Sequence, residues 1–405
     1  MTGGLLIDGT GSPPVRNATV VVEGDTIVAI SPETGSPHHS ASERVIDAAG
    51  KTILPGLIEA HIHMGWARTP GVWPKLVGQA VTMHAARAIR NSLYALSQGI
   101  TTVREAGAKN GMSISLRSAI EQRIIAGPRI VACGSPITMT GGHASQYGRE
   151  ADGPDEVRKA AREQLKAGAD FIKLMGNGGF TLTRGDDVTT EQLTRAEMAA
   201  AVEEAHKAGR KVAVHASGAA VGNAIAVGAD SIEHGVFLEP SEARKMVEDG
   251  IFLVPTLLSM HTLAHHSVEW GRSEGAGRNA ARALEQHERS FRTALDAGVR
   301  VATGTDWVLD VVGEMELMVR YGLTPMQAVV AATATAAEVV GLAARIGTIA
   351  PGMLADLIVI NGNPLNSIEE LRCVELVIKN GVVYQPRALQ EALGCEAQRP
   401  LPSRA

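Results

Sequence analysis

The sequence predicts an α/β fold, a (β/α)8 TIM barrel with a small β-sandwich domain built from both chain termini. Three observations predict it. Eight apolar runs of strand length alternate with amphipathic, helix-length segments through the middle of the chain. Short Val- and Ile-rich runs with tight-turn punctuation bracket that middle part on both sides. The chain has 405 residues, 45% apolar and 20% charged, which is globular composition and enough length for one barrel-sized domain.

The first β segment is expected over residues 1–55. Leu5–Asp8, Ala18–Val22 and Thr26–Ile30 read as strands, set apart by the turns Gly9-Thr10-Gly11 and Glu23-Gly24-Asp25. Val45–Asp47 adds another after the Ser/Pro/His stretch Ser31–Ser42. The barrel is expected over residues 56–348. Its eight strands are Gly56–His61, Thr101–Glu105, Arg129–Ala132, Phe171–Met175, Lys211–His215, Ser231–His234, Phe252–Pro255 and Arg300–Thr305. Between them, Asp155–Lys166, Arg195–Ala208, Ser241–Glu248 and Asn279–Ala297 carry helical periodicity. The steps Ala167-Gly168, Ala208-Gly209 and Ala297-Gly298 suit left-handed C-caps before the next strand. A doubly wound sheet is the alternative for the same alternation. Pro325–Ala344 reads as an Ala-rich helix and not a membrane span, since it carries Gln327, Glu338 and several Thr residues. Residues 349–405 return to β grammar: Asp356–Ile360, Val374–Asn380 and, after the Asn380-Gly381 turn, Val382–Tyr384.

Composition narrows the function. A net charge of -5 and 3% aromatic residues leave neither the basic surface nor the stacking platforms of a nucleic-acid binder. Cys133, Cys373 and Cys395 are odd in number and far apart, so a disulfide framework is not expected and a reducing, cytoplasmic setting fits. Met1–Arg16 has no basic region followed by an apolar stretch, so no signal peptide is expected. Partners are therefore expected to be small-molecule substrates, with no nucleic acid and no membrane.

In a barrel the chemistry sits at the C-terminal ends of the strands. Those ends carry His61 and His63 on the first strand, Lys173 on the fourth, His215 on the fifth, His234 on the sixth and Asp306 after the eighth. His61 and His63 are two apart, so they share one face of a strand. Four imidazoles and a carboxylate on four strand ends form a metal-ligand set of the kind zinc favours. Lys173, between Ile172 and Leu174, is costly to bury as an ammonium. A salt bridge would resolve that. So would reaction of the neutral amine with carbon dioxide to a carbamate, an anion able to bridge two metals.

On these residues the chain resembles the amidohydrolase superfamily. The matching segments are Leu54-Pro55-Gly56-Leu57-Ile58-Glu59-Ala60-His61-Ile62-His63, Lys173, Val214-His215-Ala216, Ser231-Ile232-Glu233-His234-Gly235, Thr303-Gly304-Thr305-Asp306 and Gly347–Val359. The resemblance implies two divalent metal ions, zinc first among them. His61, His63 and Asp306 would hold one, His215 and His234 the other, with carbamylated Lys173 bridging. It also implies attack by a hydroxide shared between the metals, with Asp306 as the proton carrier, and a homo-oligomer.

The run Lys173–Gly179 and Met139-Thr140-Gly141-Gly142-His143 resemble the prolidase-like and imidazolonepropionase-like branch, with relatives that open ochratoxin's amide. That implies cleavage of an amide (C–N) bond in a carboxylate-bearing substrate such as an N-acyl amino acid, a dipeptide or an ochratoxin-like amide. His143 would bond the substrate, Arg184 would bind its carboxylate, and Ser217 would stand where some dipeptidase relatives place a tyrosine. His261, His265 and His266 are further candidates for the pocket. A carbamate, urea, lactone or phosphoester hydrolase would use the same metal core. A non-catalytic assembly protein would lack ligands, and all of them are present.

Overall fold

The computed structural model describes residues 1–32, 44–68, 78–179 and 188–394. The chain is α/β and divides into two compact units. One comprises Met1–Ile58, Ser92–Thr102 and Asp310–Ala405; the other comprises Glu59–Asn91 and Val103–Leu309.

The first unit is built on strands from both ends of the chain. They are β1 (Gly4–Leu6), β2 (Val15–Glu23), β3 (Thr26–Pro32), β4 (Thr52–Pro55), β14 (Leu357–Ile360), β15 (Val374–Lys379) and β16 (Val382–Tyr384). Their order is β16-β15-β14-β4-β1-β2-β3. The join between the two ends is the antiparallel pair β4–β14, in register from Leu357 opposite Pro55 to Ile360 opposite Thr52. Its core gathers Leu6, Val20, Ile27, Ile53, Leu357, Val359 and Ile378. The strands form one seven-stranded sheet and not the two facing sheets of the expected sandwich. The sheet curls: β3 bridges back at Thr26 to Leu354, and Ala355 N–H donates to Asp25 O at 2.7 Å. The expected strand Val45–Asp47 is reduced to a single bridge, Thr2 with Asp47.

Pro325–Ala344 is not one helix. It forms two short helices, Pro325–Ala331 and Ala334–Val339. Thr333 breaks them with φ −131° and ψ −92°, and its hydroxyl donates to Val329 O at 2.7 Å. A Thr that bonds back to the preceding turn competes with helical backbone bonds. No helix among the described residues is long and apolar enough to cross a membrane.

The chemistry-bearing strands run parallel. β5 (Leu57–Ile62), β6 (Ile100–Glu105) and β7 (Arg129–Ala132) make a three-stranded sheet, and β5 and β6 pass from the first unit into the second. A six-stranded sheet has the order β13-β12-β11-β10-β8-β9. Its long members are β10 (Phe171–Met175), β11 (Lys211–Ala216), β12 (Ser231–His234) and β13 (Phe252–Val254); β8 (Ile137–Thr138) and β9 (Arg149–Glu150) are short. β10 is buried along its whole length, as strands covered on both faces are. The helices follow their local signals. Pro154–Ala167 starts with Pro and has Asp155 and Glu156 in its first turn. Arg195–Lys207 opens with a Thr194/Glu197 capping box. Gly168, Gly209 and Gly298 all sit at positive φ after helix ends, which a residue with a Cβ adopts only at a cost.

The expected eighth strand, Arg300–Thr305, is not a regular strand. It makes isolated parallel bridges, Val301 with Leu253 and Asp306 with Ile62. The reason lies in its backbone bonds. The Thr305 N–H is shared between the Glu59 carboxylate at 2.9 Å and His61 O at 3.1 Å, and Asp306 turns into the left-handed region at φ 60°. Gly304 permits the close passage: a Cβ there would lie 2.5 Å from Val254 Cγ1 and 2.8 Å from His61 Cβ. Gly304→Ala is therefore expected to lower stability by about 1–3 kcal/mol, the range for overpacking a tight interior. A reduced urea midpoint would register it; an unchanged midpoint would mean that this segment is looser than described.

Candidate active site

The strand ends bring the expected ligands together. His61, His63, Lys173, His215, His234 and Asp306 all line one cavity of about 550 Å³. His61 and His63 Nε2 lie 3.9 and 3.4 Å from Asp306 Oδ1. One ligand atom from each of these three residues falls within 4.8 Å of the others, a spacing that suits a shared cation. The rings of His215 and His234 are 4.5 Å apart by centroid, and those of His61 and His234 are 5.0 Å apart.

The tautomers follow from the partners of the other ring nitrogens. His61 Nδ1 meets Glu233 Oε2 at 2.6 Å, so it is the donor, and Nε2 carries the lone pair. His63 Nδ1 donates to Gly107 O at 2.9 Å, with the same result. Thr256 spends its hydroxyl proton on Pro255 O, so it accepts from His234 Nδ1 at 2.6 Å. His215 differs: Nε2 faces Gly178 O at 3.2 Å, which puts its lone pair on Nδ1. Burial lowers the pKa of His61, His63 and His234, so these rings are neutral donors.

A second layer of buried charge holds the ligands. Glu233 Oε1 binds the Arg104 guanidinium at 2.7 Å and the Ser231 hydroxyl at 2.5 Å, while Arg104 Nε reaches Ala60 O at 2.5 Å. Glu59 accepts from the backbone N–H of His61 and Thr305 and from the Thr305 hydroxyl, which ties the two ligand-bearing backbones together. Burial still raises the Glu59 pKa to about 7. Ser259 Oγ donates to Asp306 Oδ2 at 3.0 Å, so Oδ1 is the oxygen turned to the two imidazoles.

Lys173 stands at the centre. It is buried, and its Nζ has no hydrogen-bond partner among the described residues. Desolvation lowers its pKa to about 8. That is a donor built for a partner supplied from outside the chain, and with the neutral imidazoles around it the set fits a divalent metal pair.

Of the expected substrate contacts, His143 and Ser217 line the same cavity, and the His143 ring lies 4.6 Å from that of His215. Arg184 lies outside the described residues. His261, His265 and His266 do not line the cavity. Their helix, Leu257–His266, presents Ser259, Met260 and Leu263 to it instead. His261 and His265 stack on each other at 4.5 Å, one turn apart.

Sequence reasoning missed His287, whose Nε2 donates to His234 O at 3.1 Å, and an aromatic wall. Tyr147 and Trp66 pack at 4.2 Å and flank His63 at 5.8 and 6.1 Å. Trp307 and Arg272 also line the cavity, with the guanidinium 5.6 Å from the indole centroid. A signal was available. The chain has only four tryptophans and four tyrosines, and three of these eight fall close to motif residues: Trp66 after His63, Tyr147 after His143, Trp307 directly after Asp306.

The buried amine makes stability depend on pH. Unfolded, Lys173 titrates near its ordinary 10.5; folded and metal-free, it titrates near 8. Between those values the unfolded chain binds more protons, so stability rises with pH. Below about pH 8 the full penalty applies, on the order of 3 kcal/mol. Lys173→Met should therefore stabilise the chelator-treated protein by about that amount at pH 7, with the gap closing towards pH 10.5. Urea unfolding at pH 7 and pH 10 measures this; equal gaps at both would contradict it.

Comparison with known proteins agrees with this geometry. The Amidohydrolase family profile matches residues 52–384. Ochratoxinase of Aspergillus niger is 29% identical over 94% of this chain and 85% of its own length. Imidazolonepropionase of Geobacillus kaustophilus is 28% identical over 86% of this chain and 84% of its own. The crystal structure of a Xaa-Pro dipeptidase with methionine in its active site superposes with a TM-score of 0.87 at 34% identity, covering 95% of this chain and 98% of that one. The chain belongs to the amidohydrolase family.

Proposed function

We propose that this amidohydrolase-family enzyme is a metal-dependent hydrolase of amide (C–N) bonds in carboxylate-bearing small molecules: N-acyl amino acids, dipeptides or ochratoxin-like amides. The observation that carries the reading is the buried Lys173 Nζ, without a hydrogen-bond partner among the described residues, in the cavity it shares with His61, His63, His215, His234 and Asp306. The reading includes a closed (β/α)8 barrel. The parallel bridges Leu253–Val301 and Ile62–Asp306, which link β13 to β5 through the irregular eighth segment, support closure. The substrate class draws on the relatives, ochratoxinase and a Xaa-Pro dipeptidase, and on the mixed lining of the cavity.

In this reading His61, His63 and Asp306 would hold one divalent ion and His215 and His234 the other, and Lys173, as its carbamate, would serve as a ligand to both. When bound, such ions supply Lewis acidity and lower the pKa of water to the neutral range. Zinc suits the donor set. The chain's own residues do the rest. The pKa of about 8 keeps part of Lys173 as free amine near neutral pH, the form that reacts with carbon dioxide. Asp306, whose Oδ2 is oriented by the Ser259 hydroxyl, would carry the proton from the attacking water to the leaving nitrogen. His143 hydrogen-bonds the substrate, and Ser217, small, keeps its wall wide. The Glu233–Arg104 pair and Glu59 hold the imidazoles and Asp306 in place, so little reorganisation accompanies the reaction.

The test is turnover by the zinc-loaded enzyme on a panel of N-acyl amino acids and dipeptides. The free acids are expected to be cleaved with kcat/KM at least about tenfold above their methyl esters, roughly 1.4 kcal/mol of transition-state binding. Asp306→Asn is expected to lower kcat by at least about 10²-fold. Cleavage of carbamates, ureas or lactones with no amide turnover would reject the amide reading, and near-normal turnover by Asp306→Asn would reassign the proton carrier.

A further inference from the structure

His215 takes a partner from a loop: its Nε2 meets Gly178 O at 3.2 Å, in the segment that follows β10. A loop carbonyl orients an imidazole well when the carbonyl is itself held. Gly178 N–H is bonded to Thr190 O at 3.0 Å, but that N–H belongs to the peptide before Gly178 and the carbonyl to the peptide after it. The carbonyl is held by a neighbouring side chain, Asn177, which is 1% exposed. Asn177 Nδ2 donates to Gly178 O at 2.8 Å and to Val188 O at 2.7 Å, and Oδ1 accepts the Ser217 N–H at 2.8 Å. Both amide hydrogens and the amide oxygen are therefore used. The same partners fix which way the amide faces, since the flipped amide would set its NH2 against an N–H and its oxygen against two carbonyls.

We propose that Asn177 is a positioning residue for His215: by fixing the Gly178 carbonyl it holds the ring with Nε2–H bonded to the protein and Nδ1 left as the donor. The proposal rests on the metal-site reading for what that donor then binds. The placement of Asn177 explains why the task falls to it. β10 and β11 pair in parallel from Phe171 opposite Lys211 to Met175 opposite His215, and Gly176 N–H adds one more bond, to His215 O at 2.9 Å. Beyond that point the Asn177 side chain continues the connection, reaching Ser217 N–H from one end of its amide and Gly178 O from the other. One buried amide thus ties the backbone that follows Lys173 to the backbone on both sides of the His215 ring's support. Leaving such groups unpaired in a dry interior is costlier than the bonds themselves are strong, so removing the two donors frees Gly178 O to turn away.

The experiment is NMR of the metal-free full chain carrying ring-15N histidine, comparing water exchange of the His215 Nε2–H with that of the His61 and His63 Nδ1–H protons, which bond to Glu233 and Gly107. Asn177→Asp keeps the size and the acceptor oxygen and loses both donors; Asn177→Ala loses all three bonds. In both variants the His215 proton is expected to exchange at least about tenfold faster, as for loss of a bond near 1.4 kcal/mol, with the two reference protons changed less than about twofold. Unchanged exchange at His215 in both variants, or equal acceleration at all three rings, overturns the proposal. Zinc titration of the same proteins separates this inference from the reading it builds on. Binding of one zinc ion is expected to weaken by about tenfold or more, the range for loss of a group that orients a ligand, with the other held within about twofold. Faster His215 exchange with both zinc affinities unaltered would keep Asn177 as the holder of the ring and remove His215 from the ligand set.

Discussion

A buried lysine amine with no hydrogen-bond partner among the described residues is the constraint around which this structure is arranged. Lys173 lies within a strand whose every residue is buried, with Ile172 and Leu174 on either side in sequence. An isolated ammonium in such a place carries a desolvation cost of several kcal/mol. A domain whose total stability is roughly 5–15 kcal/mol retains such a group only for what it does. The chain lowers the cost by letting the amine lose its proton easily, and it surrounds the amine with neutral imidazoles, not with a counter-ion in direct contact. Both features suit a ligand that becomes an anion on reacting with carbon dioxide and then meets cations.

The surrounding architecture serves the same end. Each ligand ring has one nitrogen committed to the protein, to Glu233, Gly107, Thr256 or Gly178, so the other is defined as the donor. The carboxylates that do this work are themselves held: Glu233 by Arg104 and Ser231, Glu59 by two backbone N–H groups and a hydroxyl. His234, Thr256 and Asp306 all adopt left-handed backbone, an unfavourable conformation for residues with a Cβ. Three such residues at neighbouring strand ends indicate that side-chain direction there outweighs local backbone preference.

Much of this was readable beforehand, and the reasons are specific. His61-x-His63 has the strand period of two, His215 and His234 sit at the ends of apolar runs and Lys173 interrupts one, so both fold grammar and ligand set appear in linear sequence. Glycine C-caps and capping boxes likewise act within a few residues. What escaped was set by distance or by competition. Arg300–Thr305 reads as a strand, yet Glu59, remote in sequence, shares the Thr305 N–H with His61 O, and Asp306 turns left-handed, so the segment keeps single bridges without a regular ladder. Pro325–Ala344 has continuous helical composition, and one back-bonded hydroxyl at Thr333 divides it. The His261–His266 cluster drew attention by residue type, but helix phase turns Ser259, Met260 and Leu263 to the cavity. Arg272 lies in a loop with no motif beside it, whereas Trp66, Tyr147 and Trp307 stand next to motif residues and their rarity was the signal.

The central claim is that Lys173 bridges two metal ions as a carbamate. Anomalous X-ray diffraction from crystals of the zinc-loaded enzyme, collected on both sides of the zinc absorption edge, tests it most directly. The account predicts two zinc peaks flanking the end of the Lys173 side chain, one against His61, His63 and Asp306 and the other against His215 and His234, with density for three further atoms beyond Nζ. A single zinc peak beside an unmodified Lys173 amine would contradict it.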